Sequence, residues 1–200
     1  MLFRSQAVEG AEDREDDGKD QIRRAKVDPR DFVLGIAASR RTPFVGGALV
    51  EARKLGARTG LLACTPREEI TLELDVAICP VVGPEAIMGS TRMKAGTAQK
   101  LVLNMISTAT MVRFGKLYEN MMVDLKATSK KLVERGRRTL MTVTGLDYDA
   151  ACVRLDEAEG SVKVAVVMTL ANVPADEARA RIERAGGFVR GAIQDEGGAS

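Results

Sequence analysis

The chain has 200 residues, which is enough for one domain with a full hydrophobic core, or for one domain with a small appendage. Hydrophobic residues make up 45% and charged residues 29% of the sequence, a composition typical of folded globular proteins rather than disordered ones. The formal net charge is only +2 and there is no Trp, so neither a strong basic field nor an aromatic stacking surface supports nucleic-acid binding.

The predicted elements begin with a charged segment, residues 9–24, which leads from a solvated loop into a short helix. Residues 31–38, DFVLGIAA, form a short apolar run after a Pro-containing turn, and this predicts a buried strand. Thr42 and Pro43 then supply the N-cap and the first position of a helix, which Gly56 ends.

Two more strands are predicted at residues 58–64 (RTGLLAC) and 74–82 (LDVAICPVV). A long helix opens near Lys94, and the helical spacing of its apolar residues predicts that it packs on the sheet. Alternating strands and helices are typical of an α/β fold with a doubly wound parallel sheet. The apolar positions of the long helix are Ala98, Leu101, Val102, Met105, Ile106, Ala109 and Val112.

The character of the sequence changes at Gly145. A helix predicted at residues 128–142 precedes this point, and four short helices separated by Gly and Pro residues follow it. We therefore predict two domains, an α/β domain at 1–144 and a small helical domain at 145–200. The four predicted helices lie at residues 147–158, 162–170, 175–185 and 188–193.

Two loops lie where ligands bind in open parallel sheets, beyond the carboxyl ends of the strands. Residues 39–42 follow the first strand and residues 90–97 follow the third, and each loop offers hydroxyl groups, cations and the amino end of a helix. This combination binds phosphate or carboxylate groups. The alternative is that these residues only cap the helices, and for one loop alone this alternative is favoured. The presence of two such loops, both with cations, favours an anion site more. Neither loop matches a nucleotide-binding motif, so no nucleotide site is predicted.

Acid–base chemistry has few candidate residues, because the sequence contains no His. Ser–His and Cys–His nucleophile pairs are excluded, and so is the commonest protein ligand for metals. Glu9, Glu12, Glu85 and Glu119 lie near predicted loops, and any of them could act as an acid or base if burial raised its pKa towards neutrality. An exposed surface carboxylate is the alternative for each one.

The three cysteines are odd in number and widely spaced. Cys64 and Cys79 end apolar, strand-like runs, and Cys152 lies far from both. Buried free thiols are therefore predicted, rather than a disulfide or a metal site. No apolar run approaches the roughly 20 residues of a membrane span, and the first residues lack the apolar core of a signal peptide, so a cytoplasmic location without membrane contact is expected.

Five segments carry a family resemblance: VEGAED (8–13), GIAASRRTPF (35–44), GPEAIMGSTRMKAGTAQKLVLNMISTATM (83–111), GKLYENMMVDLKATSKKLVERGRR (115–138) and EARARIERAGGFVRGAI (177–193). Together they closely resemble the N-acetylmuramic acid 6-phosphate etherases, bacterial enzymes of the sugar isomerase (SIS) fold. The resemblance implies a three-layer α/β sandwich followed by a small helical domain similar to ubiquitin-associated (UBA) domains. It also implies a homodimer.

The activity that the resemblance implies is cleavage of the D-lactyl ether of N-acetylmuramic acid 6-phosphate, in the recycling of peptidoglycan amino sugars. The products are N-acetylglucosamine 6-phosphate and D-lactate, and no metal or other cofactor takes part. Elimination is followed by hydration: a carboxylate removes the proton next to the aldehyde of the open-chain sugar, lactate leaves, and water adds to the unsaturated intermediate. A non-catalytic phosphosugar-binding SIS domain and an inactive fragment are the alternatives.

The resemblance also assigns residues. It implies that Glu12 is a catalytic acid or base and that Ser39 and Thr42 contact the phosphate or the sugar. Arg40 stands where the family has Gly. The family's second glutamate, a first strand and a Gly-Ser/Thr loop would precede Met1, so we expect a chain shortened at its N-terminus, with an apolar edge of the sheet exposed. Further substrate-binding residues implied by the resemblance are Glu85, Ser90, Thr91, Lys94 and Gln99.

Overall fold

A computed structural model describes residues 10–124 and 129–195, which form two compact units that divide between Asn104 and Met105. The described helices are α1 (Glu15–Arg24), α2 (Pro43–Lys54), α3 (Lys94–Arg113), α4 (Lys130–Thr144), α5 (Tyr148–Glu157), α6 (Val162–Leu170), α7 (Ala175–Arg184) and α8 (Val189–Gln194). The described strands are β1 (Phe32–Ala37), β2 (Arg58–Ala63), β3 (Val76–Ile78), β4 (Leu117–Tyr118) and β5 (Met121–Met122). No helix in this part of the chain combines the length and apolarity needed to cross a membrane.

The first unit is built on a parallel sheet with the strand order β1-β2-β3. Leu34 of β1 lies opposite Gly60 of β2, which in turn lies opposite Val76 of β3. The predicted α/β class with a parallel sheet is confirmed. The third strand is shorter than predicted, because Pro80 lacks the N–H group that would continue the ladder.

Helix α2 covers one face of this sheet. A Cβ atom placed on Gly35 would lie 2.6 Å from Val45 Cγ1 and 2.8 Å from Leu49 Cδ1, so β1 and α2 are in direct contact there. Helix α1 packs on α2 in turn, and Arg23 Nε donates a hydrogen bond of 2.7 Å to the buried carboxylate of Glu51. The result is a small core beneath α2 whose buried residues are Leu49, Leu61, Ala63 and Ile70.

The opposite face of the sheet carries exposed apolar side chains. Phe32 is 51% exposed, Ile36 41% and Val76 44%, while Leu34 and Ile78 on the same face are half-buried. Leu62 lies opposite Ile36 and Ile78 on this same face and is fully buried, so only part of the face is uncovered. The expected exposure of an apolar edge at β1 stays a prediction, because these side chains lie on a face of the sheet.

The position of α3 agrees with the prediction, but the expected burial of its apolar residues is wrong. Ala95 is its only buried residue, whereas Leu101, Met105 and Val112 are 53%, 66% and 48% exposed. Apolar side chains are distributed around this helix rather than confined to one stripe. Spacing therefore could not identify a single packing face, and a helix of this kind needs neighbours on several sides.

The second unit is mainly helical and has its own core. Seven consecutive residues of α6, Val162–Met168, are buried, and Leu140 of α4 belongs to the same core. A hairpin of β4 and β5 precedes α4 and was not predicted. Its turn contains Glu119, with φ 52°, whose carboxylate accepts a hydrogen bond of 2.5 Å from Arg190 of α8. The domain boundary at residue 144 stays a prediction.

Candidate functional site

The carboxyl ends of β1, β2 and β3 meet at one edge of the sheet, because the three strands are parallel. The loop after β1 contains Arg40, and a turn after β2 contains Glu69. Arg40 Nε donates to Glu69 Oε2 over 3.1 Å, so an ion pair joins these two loops. This edge is the place where ligands bind in sheets of this type.

The amino end of α2 has no cap from its own side chains. Thr42 occupies the predicted N-cap position, with extended backbone angles, but its hydroxyl makes no capping hydrogen bond. Ser39 Oγ accepts a bond of 3.3 Å from the Arg41 N–H, which shapes the loop rather than the helix end. Within the described residues no side chain caps the first turn of α2, whose leading N–H groups have no intrahelical partner, as an anion site requires.

A cleft of about 350 Å³ opens beside this helix end. Arg40, Arg41 and Thr42 contribute to its wall from the loop after β1, and Glu15 and Thr71 contribute from elsewhere in the chain. Glu15 is paired with Lys19 at 2.8 Å, whereas Arg41 is exposed and has no ion-pair partner in the described ranges. Glu15 and Thr71 were not predicted, because tertiary packing brings them here and no local pattern marks them.

Arg40 fits its loop without backbone strain. Its φ lies outside the positive range, so this position does not require a conformation that an L-residue avoids. Its guanidinium is directed to Glu69. The cleft consequently has one cation that is already neutralised, Arg40, and one that is available, Arg41.

The amino end of α3 is occupied by the protein itself. Glu85 Oε2 accepts from Lys94 N and Glu85 Oε1 from Ala95 N, both at 3.0 Å. Lys94 Nζ donates to the Pro84 carbonyl oxygen at 2.7 Å. These backbone hydrogen bonds, with Lys94 first, hold the pKa of Glu85 below its ordinary value. Of the two predicted anion loops, this one already holds a carboxylate where a ligand anion would bind.

Glu85→Gln should destabilise the chain at neutral pH, because Gln offers one acceptor oxygen where the carboxylate uses two. The Glu85 pKa is lower in the folded chain than the unfolded value of 4.5, so its contribution is present above pH 4.5 and is lost as the pH falls through the folded pKa. Urea unfolding of the unmodified chain and of Glu85→Gln, measured from pH 7 into the acid range, should give free energies of unfolding that converge as the pH falls. Glu68→Gln, which removes one negative charge from an exposed turn, is the control. If both variants differ equally from the unmodified chain in free energy of unfolding, the capping role of Glu85 is contradicted.

Several predicted site residues lie around this same helix end. Ser90 is half-buried and Thr91 exposed, and the Thr91 carbonyl oxygen accepts from Gly96 N at 2.9 Å. The Nε2 atom of Gln99 is buried and has no hydrogen-bond partner in the part of the chain that the structure describes. An amide that is left unpaired in this way is available to a ligand or a water.

Cys64 lies at the carboxyl end of β2 and contacts the same helix. Its Sγ lies 3.8 Å from the Ala95 carbonyl oxygen and donates to it. Burial raises the pKa of this thiol, and the negative charge of Glu85 raises it further. All three cysteines are free and half-buried, which makes Cys64 a packing residue rather than a ready nucleophile.

Glu12 lies on a short 3-10 turn, Ala11–Asp13, that packs against α2. Its side chain is exposed and forms no hydrogen bond or ion pair with another described residue. Glu9, the neighbouring candidate, lies outside the described residues. Thus Thr42 lines the cleft at α2, Glu85 and Lys94 are in contact at α3, and Glu12 contacts none of these residues through a hydrogen bond or ion pair within the described residues.

Comparison with known proteins gives one consistent result. A protein of Salinibacter ruber is 60% identical over 98% of this chain, and one of Listeria welshimeri is 51% identical over 94%. A third, from Pectobacterium atrosepticum, is 50% identical over 94%. Each carries the name N-acetylmuramic acid 6-phosphate etherase.

The match is nearly complete for this chain and partial for its relatives. The chain spans 62% of the Salinibacter and Pectobacterium proteins and 64% of the Listeria protein. No family model matches the chain. The similarity noted in its motifs is nevertheless confirmed at 50–60% identity over 94–98% of the chain, and the family that this protein resembles is that of the N-acetylmuramic acid 6-phosphate etherases.

Proposed function

We propose that this chain provides the greater part of an N-acetylmuramic acid 6-phosphate etherase, a carbon–oxygen lyase that releases D-lactate and N-acetylglucosamine 6-phosphate. The observation that carries the proposal is the 60% identity over 98% of the chain with the Salinibacter protein of that name. A cytoplasmic location and a role in amino-sugar recycling are parts of the same proposal.

The proposed architecture is an SIS-type three-layer domain at residues 1–144 and a UBA-like helical domain at 145–200. The parallel order of β1, β2 and β3 under α2 supports the first assignment. The sequence of four short helices from α5 to α8 supports the second. A homodimer belongs to the proposal too, and the exposure of Met105 and Met111 on α3 supports it.

The phosphate group is proposed to bind at the amino end of α2. Ser39 and Thr42 supply hydroxyl groups, the first turn supplies N–H groups, and Arg41 supplies a positive charge. A dianionic phosphate is favoured there by the helix dipole and by Arg41 together. The amino end of α3 is the poorer phosphate site, since Glu85 already fills it.

The sugar is proposed to lie near α3. Ser90 and Thr91 supply hydroxyls to sugar oxygens, Lys94 supplies a cation, and the unpaired amide of Gln99 supplies a donor. Glu85 would act by holding the first turn of α3 in place, and through it Lys94. In this assignment the predicted residues bind two parts of the substrate: the phosphate at the amino end of α2 and the sugar at the amino end of α3.

Glu12 is proposed as the residue that moves the proton. An elimination removes the proton from the carbon next to the aldehyde and breaks the ether C–O bond, so that a C=C bond forms and lactate departs. Water then adds across that double bond, with its oxygen on the carbon that lost lactate and a proton on the other carbon. Each step needs a carboxyl group that can accept or donate a proton.

D-Lactate release from N-acetylmuramic acid 6-phosphate by the purified chain tests the proposal, with a coupled D-lactate dehydrogenase assay. Release that depends on the 6-phosphate, with none from N-acetylmuramic acid, is the expected result. Binding of the phosphosugar without release would instead identify a non-catalytic phosphosugar-binding domain. If the chain neither binds the phosphosugar nor releases D-lactate, both the enzymatic function and the binding-domain alternative are contradicted.

A further inference from the structure

A groove follows helix α2, between that helix and the segment at residues 71–74. The cleft at the amino end of α2 and a second cavity, of about 260 Å³, share Val50 and Leu72 as lining residues, so the two spaces are adjacent. Gly46, Val50 and Lys54 recur every four residues, so one face of the helix forms a wall along both. We call the two spaces together the α2 groove. Because α2 has 12 residues, it borders the groove over up to about 18 Å.

The second cavity has an apolar lining. Leu49 and Val50 contribute to it from α2, and Leu72 and Leu74 contribute from the facing segment. Leu49 is buried in the small core beneath α2, and Leu72 and Leu74 pack against that core, so these walls are held in place. A cavity of this kind favours a ligand with an apolar chain, because the chain leaves water when it binds.

The charges along the groove favour an anion at one end only. At the far end Arg53 is paired with Glu73, and Arg53 Nη1 lies 3.6 Å from Asp75 Oδ2. Lys54 is the last residue of α2, where the helix dipole disfavours an anion. At the near end, the first turn of α2 and Arg41 favour an anion, as in the proposed phosphate site. A ligand with an anionic head and an apolar chain therefore fits the groove in one orientation.

Gly46 lies between the two ends of the groove. A Cβ atom on this residue would meet no described atom within 4 Å, so the space beside it is open. Val50, one turn further along, lines both cavities and is 37% exposed. A chain attached to a phosphate at the amino end of α2 can thus pass Gly46 and reach the apolar lining.

We propose that the α2 groove binds phosphate monoesters that carry a short apolar chain. The phosphate lies at the amino end of α2, and the chain lies beside Val50, Leu72 and Leu74. The phosphate position is that of the proposed function, on which this inference rests. A monoester bound in this way takes the place of the sugar phosphate and competes with it. A peptide or a second copy of this chain would use the apolar lining without needing a phosphate.

Calorimetric titration of the chain with ethyl, butyl and hexyl phosphate, below micellar concentrations, tests the proposal. Affinity should rise about twofold to fourfold for each CH₂ group that enters the groove, so hexyl phosphate should bind at least about tenfold tighter than ethyl phosphate. Saturating inorganic phosphate should displace hexyl phosphate, and hexanol should bind far more weakly. Equal affinities for ethyl and hexyl phosphate, binding that inorganic phosphate does not displace, or hexanol that binds as tightly as hexyl phosphate would overturn the proposal.

Variants locate the chain within the groove. Val50→Gln places a polar group in the lining, and Gly46→Leu fills the passage, so each should reduce the hexyl-to-ethyl affinity ratio to below about threefold. Val153→Gln, at an exposed apolar position on a helix of the second unit, should keep the full ratio. Far-UV circular dichroism verifies that each variant is folded. A full ratio in both groove variants, or a dimer that Val50→Gln abolishes in light scattering, would contradict the proposed ligand.

The two proposals fail separately. If affinity rises with chain length but the chain releases no D-lactate, the ligand of the groove stands and the enzymatic function is contradicted. If the chain releases D-lactate but binds hexyl phosphate no more tightly than ethyl phosphate, the function stands and the ligand of the groove is contradicted.

Discussion

Replacing Gly47 with Ala is expected to lower the free energy of unfolding by about 1–3 kcal/mol, while the same change at the adjacent Gly46 raises it by roughly 0.5–1 kcal/mol. Both glycines lie inside α2. The chain therefore offers a matched pair of substitutions, one residue apart in the same helix, with opposite expected signs.

The opposite signs follow from what the new methyl group meets. A Cβ atom on Gly47 would lie 2.3 Å from the Glu15 carbonyl oxygen, and backbone cannot move aside without separating α1 from α2. A Cβ atom on Gly46 would meet nothing within 4 Å. Ala also forms helix more readily than Gly, so the gain appears at Gly46 and is outweighed by the clash at Gly47.

The measurement must distinguish the two units. Tyr118 and Tyr148, the only tyrosines, both belong to the second unit, so their fluorescence follows that unit, while circular dichroism at 222 nm follows helices of both. Urea unfolding should show the Gly47→Ala shift in the dichroism signal. A stabilised Gly47→Ala variant, or two variants that shift together, would show that α1 does not press on α2 at this glycine.

Glu12→Gln is expected to reduce the rate of D-lactate release by about 10²–10⁴-fold, the range that loss of one general acid or base produces. Gln has nearly the same shape as Glu but cannot take up or deliver a proton. The binding of N-acetylmuramic acid 6-phosphate should be retained, because the phosphate site proposed at α2 does not include Glu12. Initial rates at saturating substrate, together with a calorimetric binding curve, measure the two effects.

Asp13→Asn is the matched control for this change. Asp13 lies on the same exposed turn as Glu12, and the substitution removes the same charge one residue away. Its rate should stay within a few-fold of the unmodified chain. Equal losses in both variants would mean that the charge of the turn matters rather than the proton chemistry of Glu12, and an undiminished rate in Glu12→Gln would remove it from the mechanism.

The sequence predicted most of the helices and strands, because local signals mark them. Helices α4, α5 and α6 each begin after a residue whose side chain caps the first turn. Ser129 accepts from Leu132 N, Asp147 from Ala150 N and Ser161 from Val164 N. Signals of this kind depend on a few neighbouring residues, so they can be recognised in the sequence without knowledge of the tertiary fold.

The features that escaped prediction depend on distant residues or on weak local patterns. Glu85 caps α3 from nine and ten residues away, far outside the spacing of a capping box, so it was predicted as a substrate contact and as a possible acid or base, but not as a cap. The β4–β5 hairpin has two-residue strands and a turn at Glu119 without the usual Gly. It was not predicted because this local pattern is too weak to indicate a hairpin. The residues assigned from the family resemblance, Glu12 above all, still await an experiment.

The order of the strands also has a consequence for synthesis. Each strand of the parallel sheet pairs with the next one in the chain, so β2 can add to β1, and β3 to β2, as each leaves the ribosome. The connections to be closed are short, one between residues 37 and 58 that includes α2 and one between residues 63 and 76, which keeps their entropic cost low. The three described strands can thus pair during translation, before α4 to α8 have been made.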